Sequence, residues 1–129
     1  MSKISLPGLR RKLWKLTSEF VRRRDRGRCF TCGKVADWKE MHAGHFHDKA
    51  ICNPELYYHL KNIHCQCPGC NLYRSGNKAI YATKLVEKYG DGILTELWEI
   101  KQRPVKWTRP EYEEGIESLK HRMKFLGWQ

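Results

Sequence analysis

The chain has 129 residues, with 25 Lys+Arg against 14 Asp+Glu and a formal net charge of +11. That length allows one domain with a modest core, and the basic excess favours a polyanionic partner: nucleic acid first, an anionic membrane surface second. No apolar stretch is long enough for a transmembrane helix, and the opening MSKISLPGLRRKLWKL lacks the apolar core and cleavage site of a signal peptide. The expectation is a cytoplasmic protein, where disulfides are rare and six cysteines point to metal before crosslinks.

Leu9, Leu13, Leu16 and Phe20 recur at helical spacing, with Trp14 and Val21 beside them and Pro7 in a first turn. The spacing predicts an amphipathic helix over 7–25. Segment 1–28 holds ten Lys+Arg and two Asp+Glu, and its densest cluster is Arg22, Arg23, Arg24, Arg26 and Arg28. Such a cluster suits phosphate contacts that ignore sequence and weaken with salt. Asp25 to Gly27 read as the helix stop.

Residues 28–36 read as a zinc knuckle turned by Gly33. Residues 38–47 suit a short strand, 48–58 a loop around Asn53-Pro54, and 60–66 the return strand of a hairpin. A short helix is expected from Cys70 to near Ser75-Gly76. Asn77 would cap a helix running to Tyr89 and stopped by Gly90. Asp91 would cap the next helix, with Leu94, Leu97 and Trp98 buried. Residues 102–110 are a connector. Thr108 and Glu111 have the spacing of a capping box, ahead of a stripe of Tyr112, Ile116, Leu119, Met123 and Leu126. That stripe can pack on the first helix or pair with another subunit. The divisions are thus a basic helix over 1–28, a zinc-bound core over 29–77 and a helical region over 78–129, all in one compact domain.

The strongest signal is a pair of Cys-x-x-Cys turns, Cys29 to Cys32 and Cys67 to Cys70. Each turn offers two sulfurs to one ion, and two turns complete a tetrahedral structural zinc site. The 34 residues between Cys32 and Cys67 exceed a simple ribbon gap, so an inserted element is expected inside the clip. Cys52 and Cys65 stay unassigned, with Cys65 read as a small core hydrophobe.

The run Asn62-Ile-His-Cys-Gln-Cys-Pro-Gly-Cys-Asn71, followed by Arg74, resembles the second half of an HNH nuclease motif. Arg22 to Asp25, Cys29 to Gly33, Trp38 to Phe46, Asn62 to Asn71 and Ser75 to Asn77 together resemble the phage NinG/Rap recombination nucleases. The layout is also similar to endonuclease VII-type resolvases. The resemblance implies an α+β fold: a zinc-stapled ββα-metal, treble-clef core flanked by N- and C-terminal helices. It implies a metal-dependent endonuclease acting on branched DNA such as Holliday junctions, with structural Zn2+ and a catalytic Mg2+ or Mn2+. Rival expectations are an HNH endonuclease or nickase on duplex DNA, a non-catalytic zinc-finger DNA-binding protein, and an RNA-binding zinc module.

In that scheme His45 is the general base, Asn62 fixes the hairpin and orients His45, and Asn71 is a metal ligand. Arg74 holds a phosphate. One position departs from the common pattern: Gly44 stands where most such sites carry an Asp ligand. His42, on the same side of a strand as residue 44, is the first substitute, with His47 and Asp48 behind it. A site without a carboxylate would prefer manganese, nickel or zinc to magnesium. His59, His64 and His121 read as structural. Two symmetric cuts on a junction would suit a homodimer.

Overall fold

The computed structural model describes residues 3–128. Its first helix, α1 (Leu6–Arg24), begins where Ser5 Oγ accepts from Gly8 N at 3.1 Å and Pro7 fills the first turn. Leu9, Leu13, Thr17, Phe20 and Val21 form its buried stripe. Thr17 is tolerated there because its hydroxyl donates to Leu13 O at 2.7 Å. The last helix, α5 (Arg109–Phe125), starts at the expected capping box, with Thr108 and Glu111 bonding reciprocally.

The stripes of α1 and α5 meet each other. Leu9 and Leu13 pack with Tyr112 and Ile116, while Phe20 and Val21 pack with Met123. A Cβ on Gly115 would sit 3.2 Å from Leu13 Cδ2, so the glycine lets the helices approach closely. These stripes are therefore spent within the chain and do not supply the surface expected for a second subunit. Leu126, read as the end of the stripe, is 46% exposed.

Between these helices lies a two-stranded antiparallel hairpin, β1 (His42–His45) and β2 (Ile63–Gln66), with His42 opposite Gln66 and His45 opposite Ile63. Period-2 alternation divides its side chains. Ala43, His45, Ile63 and Cys65 lie on one face, and Ala43 and Ile63 pack under Phe20 and Val21 of α1. His42, Gly44, His64 and Gln66 lie on the other. That face meets α3 (Lys78–Tyr89), whose Tyr81 hydroxyl donates to Gly44 O at 2.7 Å. A second core joins Leu56, Tyr81 and Leu85 to Ile93, Leu97 and Ile100 of α4 (Ile93–Gln102).

Several local expectations change. The strand expected over 38–47 shortens to β1 because Asp37 accepts from Lys39 N and winds 38–40 into a tight turn. Residues 48–58 are more ordered than a loop. They hold a turn at Lys49–Ile51 and a short helix, α2 (Pro54–Tyr57), capped by Asn53 Oδ1 at 2.9 Å from Leu56 N. The helix expected after Cys70 is a wide turn over Gly69–Tyr73, ended by three left-handed residues: Ser75, Gly76 and Asn77. Asn77, with φ +51°, stands at the N-cap of α3 as expected, but its side chain makes no capping bond; its amide donates instead to Cys70 Sγ at 3.7 Å. Gly92, and not Asp91, precedes α4. Trp98 is 54% exposed, because the i, i+4, i+7 face of α4 is Ile93, Leu97 and Ile100.

Candidate metal centre and active site

The fold brings the four expected cysteines together. Their sulfurs all lie within 4.8 Å of one another. Cys32 Sγ and Cys67 Sγ are 3.7 Å apart, close to the ~3.8 Å edge of a tetrahedron with zinc–sulfur bonds of ~2.3 Å. Each knuckle aims backbone N–H groups at sulfur: Cys32 N at Cys29 Sγ, 3.5 Å, and Cys70 N at Cys67 Sγ, 3.4 Å. Burial opposes ionisation of Cys29. Hydrogen bonds from Thr31 and the knuckle backbone outweigh it and hold that thiol down to about 6. Cys32 goes the other way. Its contact at Lys34 favours the thiolate, yet burial and the three neighbouring sulfurs push it up to about 12. Four thiolates repel one another unless a cation sits among them. The donor set thus fits structural zinc.

The other cysteines stand apart. Cys65 is fully buried beside the cluster and pushed up to about 12 by burial and the charge of Asp25, as befits a small core hydrophobe. The Cys52 thiol donates to His47 O at 3.2 Å, and burial pushes it up to about 11.

His45 ends β1 as one of the few buried polar residues. Its ring stacks on Trp14 of α1 at 5.0 Å, and its Nε2 lies 2.8 Å from Tyr57 O. A carbonyl only accepts, so this contact places the ring proton on Nε2 and leaves the Nδ1 lone pair free. Nδ1 has no hydrogen-bond partner among the described residues. Burial, with a smaller effect from Lys49 and Lys78, lowers the ring to about 4. It is therefore neutral, and able to accept a proton, across the physiological range.

Asn62 acts on the chain that holds His45. Its Oδ1 accepts from His47 N at 2.9 Å and its Nδ2 donates to Leu56 O at 3.2 Å. One buried amide thereby ties β1, the 47–56 segment and β2 together, and Tyr57 follows directly. Sequence reasoning gave Asn62 this role but missed the Tyr57 carbonyl, which carries no side-chain signal.

Asn71 sits on the wide turn after β2. It shares a cavity of about 440 Å3 with His45, Asp48, Lys49 and Lys78. Its amide nitrogen lies 3.0 Å from His42 Nδ1, so the two residues read as ligands of one ion are neighbours in the fold. Asp48 reaches the same cavity paired to Lys78 Nζ at 2.9 Å, whereas the His47 ring packs edge-on against Phe46. Lys78 also donates to the carbonyls of His45 and Phe46, clamping the end of β1.

Gly44 has a physical reason. A Cβ there would collide with Gln66 Oε1 and lie 3.0 Å from Asn71 Oδ1. Gln66 Nε2 donates to Gly76 O at 2.8 Å and to Thr31 Oγ1 at 3.2 Å, joining the knuckle, β2 and the turn below Asn71. Its buried Oε1 has no partner among the described residues. The place of the usual Asp is thus filled by a side chain from the opposite strand. His42 and Asn71 border this crowded polar corner.

The arginines separate into two groups. Arg24 makes a bidentate pair with Asp25 and donates to Leu60 O and Ile63 O at 2.9 Å each, so it is spent inside the fold. Arg22 donates to Ser18 and Trp38 and lies over the Trp38 ring. Arg23 pairs with Glu19 and lies over Trp38 at 4.6 Å. Arg26, Arg28 and Arg74 are exposed, and they are the members of the expected set left for phosphate. His64 is structural: its two ring nitrogens meet the hydroxyls of Tyr81 at 3.1 Å and Tyr89 at 2.8 Å. Among the described residues no helix is long and apolar enough to cross a membrane.

Hairpin, helices and cysteine cluster define a small α+β protein with a zinc-compatible clip. Comparison with known proteins gives its family. The family model for bacteriophage lambda NinG protein matches residues 7–127. Protein ninG of Salmonella phage P22 is 33% identical over 111 residues, covering 78% of this chain and 52% of that protein. Protein ninG of Escherichia phage lambda is 32% identical over 112 residues, covering 79% and 52% respectively. The chain belongs to the NinG family. It spans about half the length of the curated relatives it matches. No solved structure matches it significantly.

Proposed function

We propose that this protein is a metal-dependent endonuclease that hydrolyses phosphodiesters in branched DNA during phage recombination. The observation that carries this reading is His45: neutral, fixed through Nε2 by Tyr57 O, with a buried Nδ1 that has no partner among the described residues, in a residue that lines a cavity with Asn71 and two lysines. Nδ1 takes the proton of an attacking water, which is the work of a general base. Asn62 holds the loop that holds the ring. Asn71 and His42 would hold a divalent ion, and such an ion polarises the scissile phosphate and neutralises the departing oxygen. A neutral amide and an imidazole favour Mn2+ over Mg2+. The zinc clip fixes the turn bearing Asn71 against the hairpin, in the manner of a treble-clef ββα-metal core.

DNA as partner is supported by the net charge of +11 and by exposed Arg26, Arg28 and Arg74. A second reading, a zinc-bound DNA-binding protein without catalysis, draws on Gly44, which denies the corner its usual carboxylate. One experiment separates them. The zinc-loaded protein is given a labelled four-way junction and a linear duplex of the same arms, with Mg2+, Mn2+ or neither. Nicks on the junction that require Mn2+ or Mg2+ are expected. Tight binding with no cleavage under either metal would leave the binding protein.

A further inference from the structure

A second cavity, outside the expected motif, adjoins the His45 site through Trp14. It encloses about 410 Å3 and is lined by Arg10, Arg11 and Trp14 of α1, Tyr57 of α2, Tyr58, and Tyr112 of α5. Four aromatic rings and two guanidinium groups thus converge on one groove, and Arg10 and Arg11 are exposed at it. The rings are held by one another: Trp14 meets Tyr57 edge-on at 5.5 Å, Tyr57 meets Tyr58 at 4.6 Å, and Tyr58 stacks on Trp107 at 5.5 Å. The Tyr58 hydroxyl donates to Arg10 O at 3.3 Å, which fixes that ring to α1. Little side-chain freedom remains to be lost when a flat ligand enters.

The groove is coupled to the catalytic cavity. Trp14 lines the groove and stacks on His45, which lines the cavity. Tyr57 lines the groove, while its carbonyl holds His45 Nε2. The 48–52 segment borders both spaces, with Lys49 Nζ 4.4 Å from the Trp14 ring centre.

We propose that this groove holds an unpaired nucleotide of the DNA strand that runs into the His45 cavity, its base against the aromatic rings and its phosphate on Arg10 and Arg11. Aromatic rings beside basic side chains are the general means of holding single strands without reading sequence. Paired bases are already stacked and cannot enter. Unpaired nucleotides at a branch can, so the groove would favour branched over linear substrates. The cationic rim favours a phosphodiester strand over an apolar peptide. This inference rests on the reading of the chain as a protein that acts on DNA.

The test uses the zinc-loaded protein without Mg2+ or Mn2+, and a flap DNA carrying 5-iododeoxyuridine in its unpaired arm beside the branch. Irradiation and peptide mapping should place the crosslink at Tyr57 or Tyr58. In parallel, Arg11→Glu should weaken flap binding by about tenfold and linear duplex binding by less than about twofold. The crosslink needs no variant, so a folding defect in Arg11→Glu cannot mask the answer. Crosslinks confined to residues 71–78, with flap and duplex weakened equally, would overturn the proposal and leave the groove to a protein partner. Crosslinks at Tyr57 or Tyr58 in a protein that cleaves no DNA would sink the nuclease reading and keep the groove. Cleavage without them would do the reverse.

Discussion

The two faces of the β1–β2 hairpin each bury a histidine, and the two rings are treated differently. On the α3 face, His64 stacks on Phe30 at 4.0 Å and both its nitrogens are bonded to tyrosine hydroxyls. On the α1 face, His45 stacks on Trp14 and has one nitrogen bonded and one free. Burial holds both rings neutral, at about 2 for His64 and about 4 for His45. A ring with no lone pair left is a packing element. A ring with an orphan acceptor beside a polar cavity carries a standing desolvation cost that the fold alone does not explain, and such sites are where function is found. His64 is thus a packing element of the α3 face, while His45 on the α1 face keeps one nitrogen unpartnered; the proposed ligand His42 lies on the α3 face, so the candidate site draws on both.

The zinc-compatible cysteine clip joins the Cys29–Cys32 knuckle to the chain just after β2, so its loss has the largest expected effect. Structural zinc contributes on the order of 10 kcal/mol to small domains of this kind. Cys67→Ser, or a strong chelator, should abolish the cooperative thermal transition seen by circular dichroism. Metal analysis of the intact protein should find one zinc per chain. A stable fold without metal would contradict the clip.

The two faces should separate next. His64→Ala removes a buried ring and takes a partner from the hydroxyls of Tyr81 and Tyr89, of which Tyr81 still donates to Gly44 O, with an expected loss of ~3 kcal/mol in chemical denaturation. The cleavage rate of the folded fraction should hardly change. The arginines offer a parallel contrast. Arg24→Ala should cost stability, since its guanidinium is bonded to Asp25 and to two carbonyls of the Leu60–Ile63 region. Arg26→Ala and Arg28→Ala should leave stability alone. Each should lower the slope of log binding against log salt by about 1 if it holds a phosphate.

The smallest effect is acid sensitivity. Both histidines have folded values below the ordinary 6.5, so the unfolded chain takes up protons first as pH falls. Their stabilising contribution is complete above pH 6.5. It declines as pH drops toward about 4 for His45, and further toward about 2 for His64. NMR titration of the zinc-loaded protein should show neither ring protonating at pH 5.5. Protonation of His45 near 6.5 would mean that the ring is not buried as described.

Features set by local chemistry were legible in the sequence. The cysteine knuckles, the α1 stripe, the Thr108–Glu111 box and the hairpin around Asn62 each follow from spacing alone. So did the placing of His42 on the same side of β1 as Gly44, from strand alternation. Features made by tertiary contact were not. Arg24 reads as one more basic residue until Asp25 and the carbonyls of Leu60 and Ile63 surround it. Asn77 holds the cap position that its letter suggests, but only the folded left-handed turn points its amide at Cys70. Trp14 looks like a flank of a helical stripe, and only the folded chain brings it against His45. The Tyr57 carbonyl, which sets the tautomer of the proposed base, belongs to backbone and has no letter in the sequence.

The central claim is that His45 Nδ1 is the general base, and chemical rescue addresses it most directly. With Mn2+ and a labelled four-way junction, His45→Gly should cleave at least ~100-fold more slowly than the unmodified chain while binding the junction about equally well. Added imidazole should restore a large part of the rate, in proportion to its neutral fraction as pH is varied. A His45→Gly protein that cleaves at the original rate would contradict the account, as would one that binds and folds normally yet gains nothing from imidazole.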